Sequence, residues 1–198
     1  ERTFLQCQTL LMKKWLFFPP VKFQHYLFDE QKLNETVQRL DELVKNQVQT
    51  NDEIQNLNSN SDQNLLEQLS FDEKRNSNEY SNIRELMKQS AKGMGEFDKE
   101  SSNALDNLES SQSANEIESL MNQTIRQLQK NRAEAAKQKS LSSLENLKNI
   151  QSQMHQIKNQ FENNTTQEMA LKFQKIMKDL LELSKNQESL ERTARSMP

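Results

Sequence analysis

The residues able to act as nucleophiles, bases or metal ligands are few and far apart in this sequence. It contains one cysteine, Cys7, and two histidines, His25 and His155. A zinc site or a nucleophile–base pair needs several such residues grouped together, and the sequence shows no such grouping. Adjacent acids such as Asp72 and Glu73 are typical of a solvated helix face. The sequence therefore predicts a non-enzymatic protein without a metal site or cofactor.

The composition indicates which elements must carry the chain. Only two glycines, Gly93 and Gly95, and three prolines, Pro19, Pro20 and Pro198, occur in 198 residues. Sheets need turn residues at each reversal and phosphate loops need glycine, so the composition argues against both. Hydrophobic residues make up 33% of the chain, which suits the narrow seam between long helices better than the broad core of an enzyme. We expect an all-α fold in which the two glycines are tolerated weak spots.

Apolar residues recur at alternating steps of three and four, which is the spacing of a coiled-coil seam. This pattern predicts long antiparallel coiled-coil helices arranged as elongated hairpins. The predicted seam consists of Leu33, Val37, Leu40, Val44, Ile150, Met154, Ile157, Phe161, Phe173, Ile176, Leu180 and Leu183. Amides at Gln47, Asn51 and Gln187 fall on the same seam, where they would weaken or specify its register.

The clearest predicted boundary within the helical pattern lies at 162–166. Asn163 and Asn164 interrupt the periodicity, and the following Thr-Thr-Gln-Glu reads as a capping box. In that motif the Thr165 hydroxyl accepts from the backbone N–H of Glu168, whose carboxylate returns the bond. We therefore expect one helix to end here and the next to begin, which makes residues 116–198 a C-terminal hairpin.

Clusters of Asn and Ser predict an interruption or flexible loop at 56–64 and a second weak point at 76–82, both within an acidic helical region, residues 29–115. A further cluster at 110–115 predicts a hairpin loop, which separates this region from the C-terminal hairpin.

An aromatic-rich segment, residues 1–28, precedes both regions and contains seven of the twelve aromatic residues. The Pro-Pro pair within it predicts a break after a short helix over 1–18. One interpretation is an anchor for a membrane surface or a partner, formed by Trp15, Phe17 and Phe18. The other is an aromatic plug that caps the helices or packs on a neighbouring domain.

Charge is segregated along the chain, although the net charge is only −3. Residues 29–120 carry 9 basic and 20 acidic side chains, whereas residues 121–161 carry 7 basic and 2 acidic ones. The basic stretch has two interpretations. It pairs with the acidic helices and helps to fix their register, which the absence of interleaved aromatic residues favours, or it binds nucleic acid or anionic lipid.

Two stretches together resemble a known family. The first runs from Leu27-Phe28-Asp29-Glu30 to Leu43, and the second contains Glu134-Ala135-Ala136-Lys137 and closes on Leu-Leu-Glu-Leu-Ser-Lys-Asn-Gln-Glu-Ser-Leu at 180–190. They resemble the coiled-coil region of large bacterial membrane proteins catalogued as domain of unknown function 4175, found in Bacteroidetes-like bacteria. The resemblance extends over roughly residues 20–195. It implies transmembrane helices upstream of a long helical region, and it brings no catalytic residues.

These observations lead to one functional expectation and one alternative. We expect a non-enzymatic coiled-coil spacer or protein-interaction module, part of a larger membrane-anchored bacterial protein on an undetermined side of the membrane. The first residue is Glu1, which fits an internal segment. The partner would be a second copy of the chain or another helical protein, in preference to nucleic acid. The alternative is a helical protein that binds anionic lipid or nucleic acid through residues 121–161 and the aromatic N-terminus.

Overall fold

The computed structural model describes residues 20–58 and 62–195, with side chains from His25 onward. Five helices occupy these ranges: α1 (Pro20–Gln55), α2 (Gln63–Met94), α3 (Lys99–Glu109), α4 (Gln112–Gln129) and α5 (Ala133–Arg195). No strand occurs in them. The all-α prediction with antiparallel helical hairpins is confirmed.

The helices form a four-sided antiparallel bundle. Helix α1 packs against α2 on one side and against α5 on the other, and α4 packs against both α2 and α5. Helices α3 and α4 follow one another along the remaining side, where α3 contacts α2 and α5. Cross-helix pairs fix the directions: the Arg39 guanidinium lies 2.8 Å from the Glu79 carboxylate, and Gln55 Nε2 donates to the backbone oxygen of Lys137 at 3.0 Å.

The centre of the bundle buries the first two parts of the predicted apolar seam, 33–44 and 150–161. Eight predicted seam residues are at least 93% buried: Leu33, Val37, Leu40, Val44, Ile150, Met154, Ile157 and Phe161. They belong to one large cluster that also includes Tyr80, Met87 and Met121. A second, smaller cluster near the α1–α2 connection includes Ile54, Leu69 and Leu128. Full burial of such a side chain contributes about 1.5–3 kcal/mol, so this seam is the main stabilising element.

The predicted interruption at 76–82 is wrong, and the break within 110–115 is not the predicted hairpin loop; tertiary contacts explain both. Residues 76–82 lie inside α2, because Asn76 is buried and its amide donates to Gln47 Oε1 across the helix pair at 2.9 Å. At 110–115 the chain does not reverse, since α3 and α4 both run antiparallel to α2. Only Ser110 and Ser111 separate them, and Arg84 of α2 bridges this kink by donating to Glu109 Oε1 at 2.9 Å.

Apart from the break at 110–111, three connections join the described helices. The first falls within 56–62, inside the predicted interruption at 56–64, although residues 59–61 lie outside the described part of the chain. The second is at 95–98, where Asp98 caps α3 by accepting from the backbone N–H groups of Glu100 and Ser101. The third is at 130–132, where Asn131 adopts φ 52°. Asn tolerates this left-handed conformation and ends α4 in a Schellman motif, with Arg132 N–H donating to Gln127 O at 2.9 Å.

Gly93 is a point of close helix approach, which corrects the expectation of a merely tolerated weak spot. A Cβ built on Gly93 would lie 2.6 Å from Cγ of Asp29 on α1. A side chain at residue 93 therefore fits only if the Asp29 carboxylate moves away. A Cβ built on Gly95 would meet a milder obstacle, because its nearest neighbour, Ser102 Oγ, would lie 3.3 Å away.

Helix α5 runs without interruption for 63 residues, so the predicted turn at 162–166 is wrong. Thr165 and Glu168 lie inside the helix and form no capping box. The Thr165 hydroxyl donates to the backbone oxygen of Phe161 at 2.6 Å, and the Asn164 amide donates to Asp98 of the α3 cap at 2.8 Å. These side chains could have broken the helix, but they are hydrogen-bonded within it or to its neighbours. At 1.5 Å per residue the helix is about 95 Å long.

The predicted segment boundaries do not coincide with breaks. Helix α1 runs across 28/29 and α4 runs across 115/116.

Candidate interaction surface

The C-terminal half of α5 projects beyond the bundle. Thr165 is the last buried residue of α5, and it contacts Tyr26 in the second turn of α1. Residues 166–195, called the extension from here on, contain no buried side chain. About 30 residues of helix therefore extend roughly 45 Å past the last buried layer.

The extension carries a heptad pattern of its own and exposes it. Four successive steps of four, from Ile157 to Phe173, shift the register, after which steps of three and four resume at Ile176 and Leu180. The apolar residues of this pattern form the extension face, defined as Met169, Phe173, Ile176, Leu180, Leu183 and Leu190. Phe173 is 64% exposed, Leu183 51% and Leu190 71%, whereas Met169, Ile176 and Leu180 are half-buried. The predicted seam contacts of Phe173, Ile176, Leu180 and Leu183 within a C-terminal hairpin are thus wrong, because the helix that would carry them does not turn back.

Other apolar side chains of the extension are exposed as well. Met177 borders the extension face and is 45% exposed, whereas Leu171 and Leu181 lie on other sides of the helix and are 66% and 60% exposed. Six basic and five acidic residues lie among them, so the extension carries almost no net charge. Ion pairs within the helix, such as Lys172 Nζ to Glu168 Oε1 at 2.6 Å, use some of these charges locally. A second amphipathic helix with either a positive or a negative net charge can therefore approach without strong repulsion.

The junction between bundle and extension is held by polar and aromatic contacts. The Tyr26 hydroxyl lies 3.2 Å from Thr165 Oγ1, and its ring stacks on Phe161 with centroids 5.9 Å apart. Burial raises the pKa of Tyr26, so its hydroxyl stays neutral and is free to donate to Thr165. Nearby, burial works against ionisation of Asp98, but the hydrogen bonds from Ser101 and Asn164 together hold its pKa below the ordinary value. The extension is thus anchored to a rigid end of the bundle.

A layer of buried polar side chains separates the two apolar clusters of the core. Gln47 Nε2 donates to Glu73 Oε2 at 2.8 Å, and Asn76 Nδ2 donates to Gln47 Oε1 at 2.9 Å and to Thr50 Oγ1 at 3.4 Å. Glu73 is fully buried, although the sequence pattern indicates a solvated position, and its Oε1 has no partner among the described residues. Burial raises its pKa from 4.5 to about 7, against the effect of the Gln47 hydrogen bond. The layer specifies the α1–α2 register and gives no substrate access to its carboxyl group.

The candidate chemical residues remain apart in the structure. His25 is exposed, and His155 Nε2 lies 2.9 Å from Asp41 Oδ1 at the α1–α5 contact. Cys7 and the possible anchor residues Trp15, Phe17 and Phe18 lie outside the described residues. In 20–58 and 62–195 no group of His, Cys, Asp and Glu could hold a metal ion. A groove of about 580 Å³ between α1 and α2 is open and lined mainly by charged and amide side chains such as Arg39 and Asn46.

The basic stretch is divided between two antiparallel helices. Arg126 lies on α4, whereas Lys148 and Lys158 lie on α5. Lys158 is 3.6 Å from Glu162, and Lys137 is 2.9 Å from Glu134, so part of the charge is paired along the same helix. Its predicted pairing with the acidic helices is not seen for these two lysines. None of the helices described is both long and apolar enough to cross a membrane.

The sequence pattern predicted the residues of the extension face, but as the buried seam of a hairpin and not as an exposed surface. The heptad signal was present, but the projection of the helix became visible only in the structure. Searches against protein-family models, curated proteins and solved structures find no match to this chain.

Proposed function

We propose that this chain is a non-enzymatic helical interaction module whose binding surface is the extension face. The bundle is the rigid base, and the extension presents its heptad face to a partner helix. The partner is a second copy of the chain or another helical protein. The parent would be a membrane-anchored bacterial protein in which the long α5 also acts as a spacer.

One observation carries this proposal: a heptad-spaced apolar face runs along 166–195, and its side chains are exposed or only half-buried. Monomeric soluble proteins rarely expose contiguous apolar surface of this extent unless it serves an interaction. An amphipathic helix binds a second helix through side chains spaced by three and four. Each large side chain transferred from water into such a contact contributes about 1.5–3 kcal/mol, so the six residues of the face together supply about 9–18 kcal/mol against the entropic cost of association.

The lipid or nucleic-acid alternative has less support. Its basic residues are split between α4 and α5, and two of them, Lys137 and Lys158, are paired with acids. A phosphate-binding surface needs unpaired cations presented together on one face.

The proposal is tested with the full chain by sedimentation equilibrium over a range of concentrations. We expect reversible self-association in the micromolar range if the partner is a second copy. The double substitution Leu180→Asp/Leu183→Asp should abolish it, because two buried charges in the contact are costly. The matched control Lys178→Asp/Lys185→Asp alters the opposite face and should retain it.

The same variants separate binding from folding. Both should keep the melting temperature of the bundle, since the described contacts of the core end at Thr165 and Met169. Self-association that persists in Leu180→Asp/Leu183→Asp would contradict the assignment of the face. A native chain that stays monomeric at every concentration, together with unchanged helix content in the Leu180→Asp/Leu183→Asp variant, would contradict self-association through the face.

A further inference from the structure

The extension face lies on the side of α5 that α1 occupies within the bundle. Gln151 and His155 of α5 both contact Asp41 of α1, at 2.7 and 2.9 Å. Five turns of an α-helix take about 18 residues, so Met169 and Phe173 lie on the same side of the helix as these two contacts. A helix packed on the extension face therefore lies in line with α1.

Helix α1 covers this side of α5 only as far as the start of the extension. The numbers of residues that contact each other in α1 and α5 add up to 191 or 192, as in the pair Tyr26 and Thr165. This register sets Pro20, the first residue of α1, beside position 171 or 172. Beyond that point the face from Phe173 to Leu190 is exposed or half-buried.

The position of α1 distinguishes between the two directions in which a second copy could pair with this face. In a parallel pair, the α5 of the second copy would continue into the place that α1 occupies beside Gln151 and His155. In an antiparallel pair, the bundle of the second copy lies beyond Leu190, where none of the described helices of the first copy lies. The geometry therefore favours the antiparallel direction.

The heptad spacing of the face matches itself in that direction. In an antiparallel pair the two kinds of seam position pack against each other, so that each step of three in one helix meets a step of three in the other. With Leu180 opposite Leu183 of the second copy, every residue of the face from 173 to 190 meets a seam position. The layer of Gln187 against Ile176 is the weakest, because the amide finds no partner in it.

The charges beside the seam are compatible with this register. Asp179 flanks the face and lies opposite Asn186 of the second copy, whose amide can donate to the carboxylate. A shift by one heptad would instead set Asp179 beside Asp179 of the second copy, where the like charges repel. The charge pattern therefore selects the register in which the whole face is paired.

The paired faces are large enough for a dimer. Each copy contributes five large apolar side chains, Phe173, Ile176, Leu180, Leu183 and Leu190. Burial removes about 60–120 Å² of apolar surface from water for each such side chain. The ten side chains of two copies thus bury roughly 600–1,200 Å², a range that includes the total of about 1,000 Å² that a specific interface needs.

We propose that the extension face pairs antiparallel with the same face of a second copy, with Leu180 opposite Leu183. This inference rests on the proposed function, because it names the second copy as the partner of that surface and gives its direction. The two bundles then lie at opposite ends of a two-helix connection formed by the extensions.

Thiol cross-linking in the full chain reports the direction of pairing. Two single-cysteine variants are made in a Cys7→Ser background, Ala170→Cys and Glu191→Cys. These positions flank the face near its two ends, about 30 Å apart along the helix. Antiparallel pairing brings position 170 of one copy beside position 191 of the other. The matched controls, Leu171→Cys and Arg192→Cys, lie one residue further on, on the opposite side of the helix.

An equimolar mixture of the two flanking variants is treated with a short bismaleimide, and intact mass spectrometry identifies the linked dimers. We expect the mixed dimer to exceed either like dimer roughly tenfold or more, because like positions lie about 30 Å apart in the antiparallel pair. The control mixture should show only background cross-linking. Predominance of the like dimers would show a parallel pair and overturn the inference, as would equal cross-linking in the controls.

Sedimentation equilibrium of the native chain separates failure of this inference from failure of the proposed function. Self-association together with like dimers would overturn the antiparallel direction and leave the binding function intact. A monomeric native chain without cross-links would overturn the second copy as the partner, and the function would then depend on another helical protein. Self-association that Leu180→Asp/Leu183→Asp leaves unchanged would contradict the face itself, and with it both proposals.

Discussion

The Tyr26 hydroxyl and Thr165 Oγ1 lie 3.2 Å apart, although 139 positions separate them in sequence. This contact joins the first turns of α1 to the middle of α5 and marks the place where the bundle ends and the extension begins. Because Thr165 donates to the Phe161 backbone oxygen, the Tyr26 hydroxyl is the donor in the contact between the two side chains.

Loss of this contact should have a measurable cost. Thr165→Val keeps the side-chain shape but removes the acceptor, which leaves the buried Tyr26 hydroxyl without its partner. We expect the free energy of unfolding to fall by about 1–2 kcal/mol. Thr166→Val, at an exposed position one residue away, is the control and should change it by less than about 0.5 kcal/mol. Denaturant titration followed by circular dichroism measures both, and equal effects of the two substitutions would show that the contact has no role.

Stability should depend on pH through Glu73. Below pH 4.5 this side chain is neutral in both the folded and the unfolded chain. As the pH rises from 4.5 through 7, the unfolded chain releases the proton first, so stability falls. The full difference between the two pKa values corresponds to about 3 kcal/mol. Glu73→Gln should therefore be more stable than the native chain by up to this amount at pH 8 and about equal to it at pH 4.

The control for this profile is Glu67→Gln, an exposed position on the same helix. It should follow the native pH profile. Parallel profiles of the native chain and Glu73→Gln, measured by chemical denaturation from pH 4 to 8, would show that Glu73 does not titrate across this range.

The close approach at Gly93 predicts an unusual double-substitution result. An alanine in a helix interior normally stabilises it by about 1 kcal/mol relative to glycine. At position 93 the added Cβ would collide with the Asp29 carboxylate, so we expect Gly93→Ala to lower the melting temperature. Asp29→Ala/Gly93→Ala removes the obstacle and should exceed the stability of Gly93→Ala alone. A Gly93→Ala variant more stable than the native chain would contradict the close packing.

Asp98 serves two helices, so its removal should cost more than the loss of an ordinary cap. Its carboxylate caps α3 and also accepts from Asn164 of α5 at 2.8 Å. Asp98→Ala should lower the free energy of unfolding by about 2–3 kcal/mol, since the cap is lost and a half-buried amide loses its partner. Asp62→Ala, which removes the exposed cap of α2, is the comparison and should cost about 1 kcal/mol.

The lowered pKa of Asp98 adds a pH signature to the same measurement. The stability that Asp98 contributes is present above its ordinary value of 3.8 and is lost as the pH falls through the lower, folded value. The cost of Asp98→Ala should therefore shrink in strong acid. An unchanged cost at pH 2 and pH 6 would contradict the ionised, hydrogen-bonded state.

Local sequence signals predicted the helices well wherever an apolar repeat ran without polar interruptions. The seam from Leu33 to Val44 and from Ile150 to Phe161 was readable from its spacing, because each of these side chains packs as its heptad position requires. The cap at Asp98 and the left-handed Asn131 carry recognisable residue types, yet neither was predicted, since the same types occur throughout an amide- and serine-rich chain.

The breaks were harder to predict because the same side chain can end a helix or bond across the bundle. Asn76 and Asn164 look like helix breakers locally, but they donate to Gln47 and Asp98 and keep their helices continuous. The solvated expectation for Glu73 failed for a similar reason, since its partner lies 26 residues away on another helix.

The sequence by itself determined the helical class, through its scarcity of glycine and proline, and the two apolar repeats that lie before and after 163–164. Only the tertiary structure decided which repeat is a core and which is a surface. Both repeats have heptad spacing, but neighbouring helices bury α5 only up to Thr165. Burial depends on where the other described helices begin and end, and a local periodicity contains no information on that.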